Sequence, residues 1–131
     1  MDELERIRHR KMLELMSKKN PSGDDPASPA VLNDALFDDF VRKNTLAVVD
    51  CWAEWCGPCR MIAPVIEQLS KEFAGRVAFG KLNVDEHPAT AARYRIMSIP
   101  TLLVMKSGTL VDTIVGAVPK DYIVTRLRPY L

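Results

Sequence analysis

The strongest chemical signal in the chain is a pair of cysteines two residues apart, in the segment Trp55-Cys56-Gly57-Pro58-Cys59. The segment follows an apolar, β-branched run and opens a helical pattern. Cysteines at positions i and i+3 of a helical turn face the same side, close enough to form a disulfide. Free N–H groups at a helix N-terminus stabilise a thiolate, and proline is tolerated in the first turn. The pattern predicts a redox-active dithiol, with Cys56 at the helix start.

The same spacing supplies half of a zinc site, whose other two ligands would have to come from elsewhere. The remaining soft candidates are Cys51, His9 and His87, and none of them makes a second pair with ligand spacing. We therefore expect no metal. A purely structural disulfide is disfavoured because cytosolic thiols are kept reduced. The chain also lacks a Gly-rich phosphate-binding loop, so we expect no dinucleotide or other cofactor.

The composition is that of an ordinary globular domain, with 131 residues, 47% hydrophobic and 27% charged. It excludes a wholly disordered or fibrous chain. Because the net charge is only +1 and no basic cluster is interleaved with aromatic residues, we expect no nucleic-acid binding. The opening residues are charged, and the longest apolar runs fall far short of the roughly 20 residues of a membrane helix. We expect a cytoplasmic monomer that does not bind membranes.

Charge and proline patterns divide the chain into three segments. Residues 1–19 are charged and moderately amphipathic, which predicts either a docking helix or a solvated tail. Residues 20–30 contain three prolines, a glycine and no large apolar side chain, which indicates a linker. Residues 31–131 carry the predicted compact domain.

Hydrophobic periodicity in this domain predicts the element order α-β-α-β-α-β-β-α. The predicted strands are 45–52, 76–84, 101–105 and 109–115, the last two forming a hairpin. The predicted helices begin at Asn33 or Asp34, near Cys59, at His87-Pro88 and after Pro119. The last helix is expected to direct Tyr122, Ile123, Leu127 and Leu131 inward. This order predicts an α/β fold with a central mixed sheet flanked by helices on both faces.

Several motifs in a fixed order make residues 31–131 resemble the thioredoxin family, and so imply the thioredoxin fold. They are Val49-Asp50-Cys51-Trp52-Ala53-Glu54-Trp55-Cys56-Gly57-Pro58-Cys59-Arg60, Pro64, Lys81-Leu82-Asn83-Val84-Asp85, Ser98-Ile99-Pro100-Thr101-Leu102 and Val115-Gly116-Ala117. A lone Cys-x-x-Cys would be a weak indication, whereas this series is specific. Residues 1–30 have no counterpart in the minimal family domain.

The resemblance implies a thiol–disulfide oxidoreductase that reduces disulfides in target proteins and is recharged by a separate thioredoxin reductase. Cys56 would be the nucleophile, and Cys59 the resolving thiol that leaves a Cys56–Cys59 disulfide. The matching family positions make Asp50 the group that assists proton transfer at Cys59, with Lys81 as its charge partner. Because an ionised carboxylate is costly in an apolar strand, we expect the pKa of Asp50 to rise toward neutrality.

The resemblance also implies a surface that target proteins contact around the dithiol. The family's Ile-Pro-Thr loop holds its proline cis, which implies a cis Pro100 although only about 5–6% of X-Pro bonds in folded proteins are cis. The backbone before it would then pair with an extended target segment. The apolar rim of this surface would consist of Trp55, Gly57, Pro58, Ile99 and Gly116. Apolar surface residues are also common without any function.

Three residues depart from or fall outside this pattern. Cys51 stands where phenylalanine is common in the family and should point to the face opposite Asp50, as a buried inert thiol or as a regulatory one. Arg60 replaces a frequent lysine and keeps the charge. Met97, near the Pro100 loop, fits either core packing or the border of the binding surface.

Two other functions remain open at this point. An oxidant or isomerase of the same fold would have a higher midpoint potential, although Gly57-Pro58 lacks the histidine such enzymes place between their cysteines. A redox adaptor docked on one partner through residues 1–19 would lose turnover with that partner when residues 1–30 are deleted. The sequence identifies neither the reductase and its electron source nor the preferred targets.

Overall fold

A five-stranded sheet forms the centre of residues 28–131, the part of the chain that this computed structural model describes. The strands are β1 (Ala30–Leu32), β2 (Leu46–Trp52), β3 (Ala78–Asn83), β4 (Thr101–Lys106) and β5 (Thr109–Val115). Their order is β1-β3-β2-β4-β5, with β1, β3 and β2 parallel and with β4 antiparallel to both β2 and β5. The predicted mixed sheet, with parallel strands first and a hairpin last, is confirmed. The predicted helix over residues 1–19 and most of the predicted linker lie outside the described residues.

Four helices cover the two faces of this sheet. They are α1 (Asp34–Lys43), α2 (Gly57–Glu72), α3 (Pro88–Arg93) and α4 (Lys120–Leu127), followed by a 3-10 turn at Arg128–Tyr130. On one face, Ile62 and Ile66 of α2 pack with Ile123 and Leu127 of α4. On the other face, Phe37 and Phe40 of α1 lie in a second apolar cluster. Helices therefore flank both faces, as predicted.

Strand β2 is the central strand and contributes to both clusters. Leu46 and Val48 face α2 and α4, whereas Val49 and Cys51 face α1. Because successive side chains alternate between the faces, a strand buried on both sides must be apolar at every position. This explains why residues 46–49 form a continuous apolar run with no polar alternation, and why Asp50 in the same strand is exceptional.

The fold differs from the sequence prediction at both ends. Strand β1 is absent from that prediction, which places Ala30 in the linker, because three residues after a proline-rich stretch show no periodicity. Two residues expected to point inward are exposed instead, Tyr122 by 45% and Leu131 by 47%. Ile123 and Leu127, four residues apart, form the buried stripe of α4, so that Tyr122 lies to its side.

Gly80 of β3 allows β1 and α1 to approach closely, and we expect Gly80→Ala to lower the free energy of unfolding by about 1–3 kcal/mol. A β-carbon at position 80 would lie 2.7 Å from Cδ1 of Leu32 and 3.1 Å from Cε2 of Phe40, both of which are buried side chains. Urea unfolding measures the loss. In a double-mutant cycle, truncating Leu32→Ala should relieve part of the cost of Gly80→Ala, and strictly additive costs would contradict this steric explanation.

Candidate active site

The cysteine pair lies at the N-terminus of α2, immediately after the loop that follows β2. Cys56 is the N-cap residue, and its Sγ accepts a hydrogen bond from the backbone N–H of Cys59 at 3.2 Å. The two residues are joined by a disulfide, with their Cα atoms 5.3 Å apart. Gly57 and Pro58 occupy the first helical positions, so α2 begins two residues earlier than predicted. Proline fits there because the first N–H groups of a helix have no intrahelical partner.

The loop before the cysteines is held by a contact to the end of β3. The indole Nε1 of Trp55 donates a hydrogen bond to Oδ2 of Asp85 at 2.7 Å, while 71% of the Trp55 residue surface stays exposed. Sequence reasoning assigns Asp85 no role because the two residues are 30 positions apart. The available signal was topological: β2 and β3 are parallel neighbours, so residues that follow their carboxyl ends meet at one edge of the sheet.

Asp50 is a buried carboxyl close to the cysteine pair. Only 1% of its surface is exposed, and its Oδ1 has no hydrogen-bond partner among residues 28–131. Burial raises the pKa of Asp50 to about 7, and the positive charge of Lys81 acts in the opposite direction. Lys81 is the residue that pairs with Asp50 in the β2–β3 register, and its Nζ lies 5.3 Å from the centre of the Trp52 ring.

Asp50 and Cys59 line the same cavity, which has a volume of about 220 Å³. The other residues that line it are Trp52, Ala53, Glu54, Arg60, Ala63 and Lys81. A cavity of this size has room for water, and the Asp50 carboxyl on its wall offers that water a polar partner. The arrangement therefore allows a proton to pass between the carboxyl and the second cysteine of the pair, directly or through water.

Four of the residues expected to form an apolar rim lie beside the cysteine pair in sequence or in space, and Gly116 contacts the loop that contains Pro100. Trp55, Gly57 and Pro58 are exposed around it. Ile99 packs against the buried cluster that contains both cysteines. The Ile99–Pro100 peptide bond is cis, and the backbone N–H of Gly116 donates to the carbonyl of Pro100 at 2.8 Å.

Met97 and Cys51 occupy contrasting environments. Met97 is 93% exposed, so it is not a core residue, and the interpretation as core packing is wrong for it. Cys51 is a free cysteine that is completely buried on the α1 face of the sheet, opposite the cavity. Burial and the neighbouring Asp50 charge raise the pKa of the Cys51 thiol to about 12, which keeps it protonated and unreactive.

Within residues 28–131, no group of three or more His, Cys, Asp or Glu side chains is placed to hold a metal ion. His9, one of the three residues considered for a zinc site, lies outside that range. No helix in the described part of the chain is both long enough and apolar enough to cross a membrane.

Comparison with known proteins identifies relatives of this chain. The family model described as Thioredoxin matches residues 28–129. Thioredoxin from Synechocystis sp. is 47% identical over 105 residues, which cover 80% of this chain and 98% of that protein. Thioredoxin from Staphylococcus aureus is 49% identical over 100 residues, covering 76% of this chain and 95% of that protein. The M-type, chloroplastic thioredoxin of Pisum sativum is 49% identical over 102 residues, which cover 77% of this chain but 59% of that protein.

A solved structure shows the same fold. A mutant thioredoxin from Halobacterium salinarum NRC-1 aligns with a TM-score of 0.75 and 32% identity, over 80% of this chain and 92% of that one. The family match covers most of the chain, and the cysteine pair is disulfide-bonded at the start of α2. The chain therefore belongs to the thioredoxin family, and it is a thiol–disulfide oxidoreductase, a protein-disulfide reductase whose redox centre is the Cys56–Cys59 pair.

Proposed function

We propose that Cys56 is the nucleophile and Cys59 the resolving thiol in the reduction of target disulfides. The thiolate of Cys56 attacks one sulfur of the target disulfide, forms a mixed disulfide and releases the other target sulfur as a thiolate. Cys59, deprotonated, then attacks Sγ of Cys56 and displaces the second target sulfur. Two electrons pass to the target, which takes up two protons, and the Cys56–Cys59 disulfide remains.

The observation that carries this assignment is the hydrogen bond from the backbone N–H of Cys59 to Sγ of Cys56. In the reduced protein the same donor, together with the N-terminal end of α2, favours negative charge on Cys56. Cys59 lies inside the first turn of α2 and lines the cavity that Asp50 also lines. The two sulfurs therefore have different surroundings. Those of Cys56 favour a thiolate for attack on the target disulfide, and those of Cys59 include a carboxyl that can accept its proton before the resolving attack.

Asp50 would accept the proton that Cys59 loses before it attacks. A carboxyl with a pKa near 7 can take up and release a proton near neutral pH, which is the condition for efficient general-base catalysis. Lys81 would be its charge partner, since its positive charge keeps part of the Asp50 population ionised in spite of burial. The shared cavity gives the proton a path between the carboxyl and the thiol.

Target proteins would bind across the apolar rim of Trp55, Gly57, Pro58, Ile99 and Gly116, with a cis Pro100 between Ile99 and β4. An extended target segment would pair with the backbone that precedes Pro100, as in strand addition. The packing of Ile99 against the buried cluster that contains both cysteines supports this orientation.

A separate thioredoxin reductase would recharge the protein, which would act as an electron carrier and as a monomer in the cytoplasm. The family match and the relatives favour this function over the adaptor, oxidant and isomerase alternatives.

We expect a midpoint potential near −270 mV for the Cys56/Cys59 couple at pH 7, the value typical of thioredoxins. Equilibration of the full-length protein with a dithiol buffer, followed by thiol counting, measures it. The Cys51→Ser variant is the control, and it should give the same value because that thiol faces the other cluster. A potential of about −180 mV or higher would instead indicate an isomerase or oxidant.

A further inference from the structure

Arg60 lies at the boundary between two spaces of different character. The inner cavity is the space of about 220 Å³ that contains Asp50 and Cys59. The outer groove is an open depression of about 750 Å³ lined also by Pro64, Glu67, Gln68 and Lys71. Three residues line both spaces, namely Arg60, Ala63 and Lys81. These three residues therefore lie where the inner cavity and the outer groove adjoin, a boundary called the partition below.

Among the three, Arg60 spans the partition through a specific hydrogen bond. Its Nη2 donates to the backbone carbonyl of Glu54 at 2.7 Å. Arg60 belongs to the first turns of α2, whereas Glu54 belongs to the loop after β2, so the guanidinium joins one wall of the inner cavity to another. Ala63 is too short to do this. The ammonium of Lys81 lies instead over the ring of Trp52.

We propose that Arg60 is a positioning residue that closes the inner cavity over Asp50 and Cys59, so that bulk water is kept from the carboxyl while the Arg60–Glu54 bond is made. The inference rests on the proposed role of Asp50 as proton acceptor for Cys59. Oδ1 of Asp50 has no partner among residues 28–131, so its environment depends on how much water the cavity admits. A rigid planar guanidinium is better suited to such a fixed closure than a flexible ammonium.

Closure of a cavity and a nearby positive charge have opposite effects on the pKa of a buried carboxyl, so the two can be told apart by experiment. Loss of a cation near a carboxyl raises its pKa, whereas entry of water lowers a pKa that burial has raised. Burial is the largest cause of the Asp50 shift. The ionisable groups that line the cavity of this carboxyl are Glu54 in the loop, Cys59 and Arg60 on α2, and Lys81 on β3. Cys51, the neighbour of Asp50 on β2, points to the opposite face of the sheet.

The experiment follows the titration of the Asp50 carboxyl carbon by NMR in the full-length oxidised protein, in which the disulfide-bonded cysteines do not titrate. Arg60→Ala should lower the midpoint by about one pH unit, because it opens the cavity to solvent. Arg60→Lys retains the charge and a donor and should recover part of the wild-type midpoint. Lys71→Ala is the matched control, since it removes a cation that lines only the outer groove, and it should leave the midpoint in place.

A higher midpoint in Arg60→Ala would show that Arg60 acts by charge alone, and an unchanged midpoint would show that it closes nothing; either result overturns the proposal. Arg60→Gln, which is polar but too short to reach Glu54, repeats the test if the alanine variant is unstable. The pH profile of mixed-disulfide resolution should shift in the same direction as the midpoint. Because the titration needs no turnover, it remains informative even if the proposed reduction of targets fails.

Discussion

The Cys56→Ser variant should lose the reduction of protein disulfides, with a turnover rate at least about 1,000-fold below that of the wild type. A thiolate is the attacking group in disulfide exchange, and a serine hydroxyl remains protonated at neutral pH even at a helix N-terminus. The hydrogen bond from the backbone of Cys59 cannot compensate for this difference. Reduction of a model protein disulfide, followed by the release of free thiols, measures the loss.

The Cys59→Ser variant should show a different defect. Its first step is intact, so it should accumulate a mixed disulfide between Cys56 and the target, which mass spectrometry under non-reducing conditions detects. Cys51→Ser is the matched control, because Cys51 is completely buried on the opposite face of the sheet, and it should retain full turnover. Normal turnover by Cys59→Ser, or loss of turnover in Cys51→Ser, would contradict the assignment.

Asp50→Ala should make the protein more stable at pH 8 while slowing the resolving step. The carboxyl has a pKa of 3.8 when unfolded and about 7 when folded, so the folded state binds its proton more tightly. The contribution of Asp50 to the free energy of unfolding is therefore most favourable below pH 4 and falls as the pH rises from about 4 to about 7. Above pH 7 it no longer changes with pH. Three pH units at 1.36 kcal/mol each correspond to about 4 kcal/mol that the wild type loses and the variant does not.

Urea unfolding at pH 4 and at pH 8 tests this expectation, since the stability advantage of Asp50→Ala should be large only at pH 8. Asp112→Ala is the control. The hydrogen bonds from Arg126 hold the pKa of Asp112 below its usual range, so its contribution to stability is present at both pH 4 and pH 8 and is lost only at lower pH. Its removal should therefore lower the free energy of unfolding by a similar amount at the two pH values. Equal pH dependence in the wild type and Asp50→Ala would show that Asp50 is not the responsible group.

Asp50→Ala should also slow the resolution of the mixed disulfide between Cys56 and the target. Without a proton acceptor beside Cys59, its attack at pH 7 should slow by up to about 100-fold, the lower range for general-base catalysis. Stopped-flow measurement of target release from a preformed mixed disulfide isolates this step. A gain in stability together with a loss of rate would show that the buried carboxyl is retained for function.

Local patterns in the sequence were sufficient for most elements and for the cysteine pair. Residues 46–49 predicted a buried strand from composition alone. Alternation placed Cys51 opposite Asp50, which the position of Cys51 in the α1 cluster and of Asp50 at the cavity beside α2 confirms. A helix that starts close to the cysteines followed from Pro58, although its first residue is Gly57 and not Cys59. In each case the deciding information lay within a few residues, where steric preferences and hydrogen-bonding needs act directly.

Contacts between distant segments could not be predicted in this way. Strand β1 is defined by its pairing with β3, where Gly80 makes room for Leu32, and nothing within three residues indicates such a partner. The Trp55–Asp85 hydrogen bond likewise depends on which strands are neighbours. The contact from Arg60 to Glu54 spans only six residues, but it depends on a side-chain conformation that composition does not specify.

Because Cys56 and Cys59 enclose only two residues within one helical turn, making or breaking their bond constrains very little of the chain. The oxidised and reduced forms can therefore share almost the same shape, and repeated cycling requires no refolding of the domain. A partner that distinguishes the reduced form from the oxidised form must therefore contact the few atoms around the two sulfurs, because little else differs between the forms. Recognition of the redox state then depends on direct contact with the surface at the start of α2.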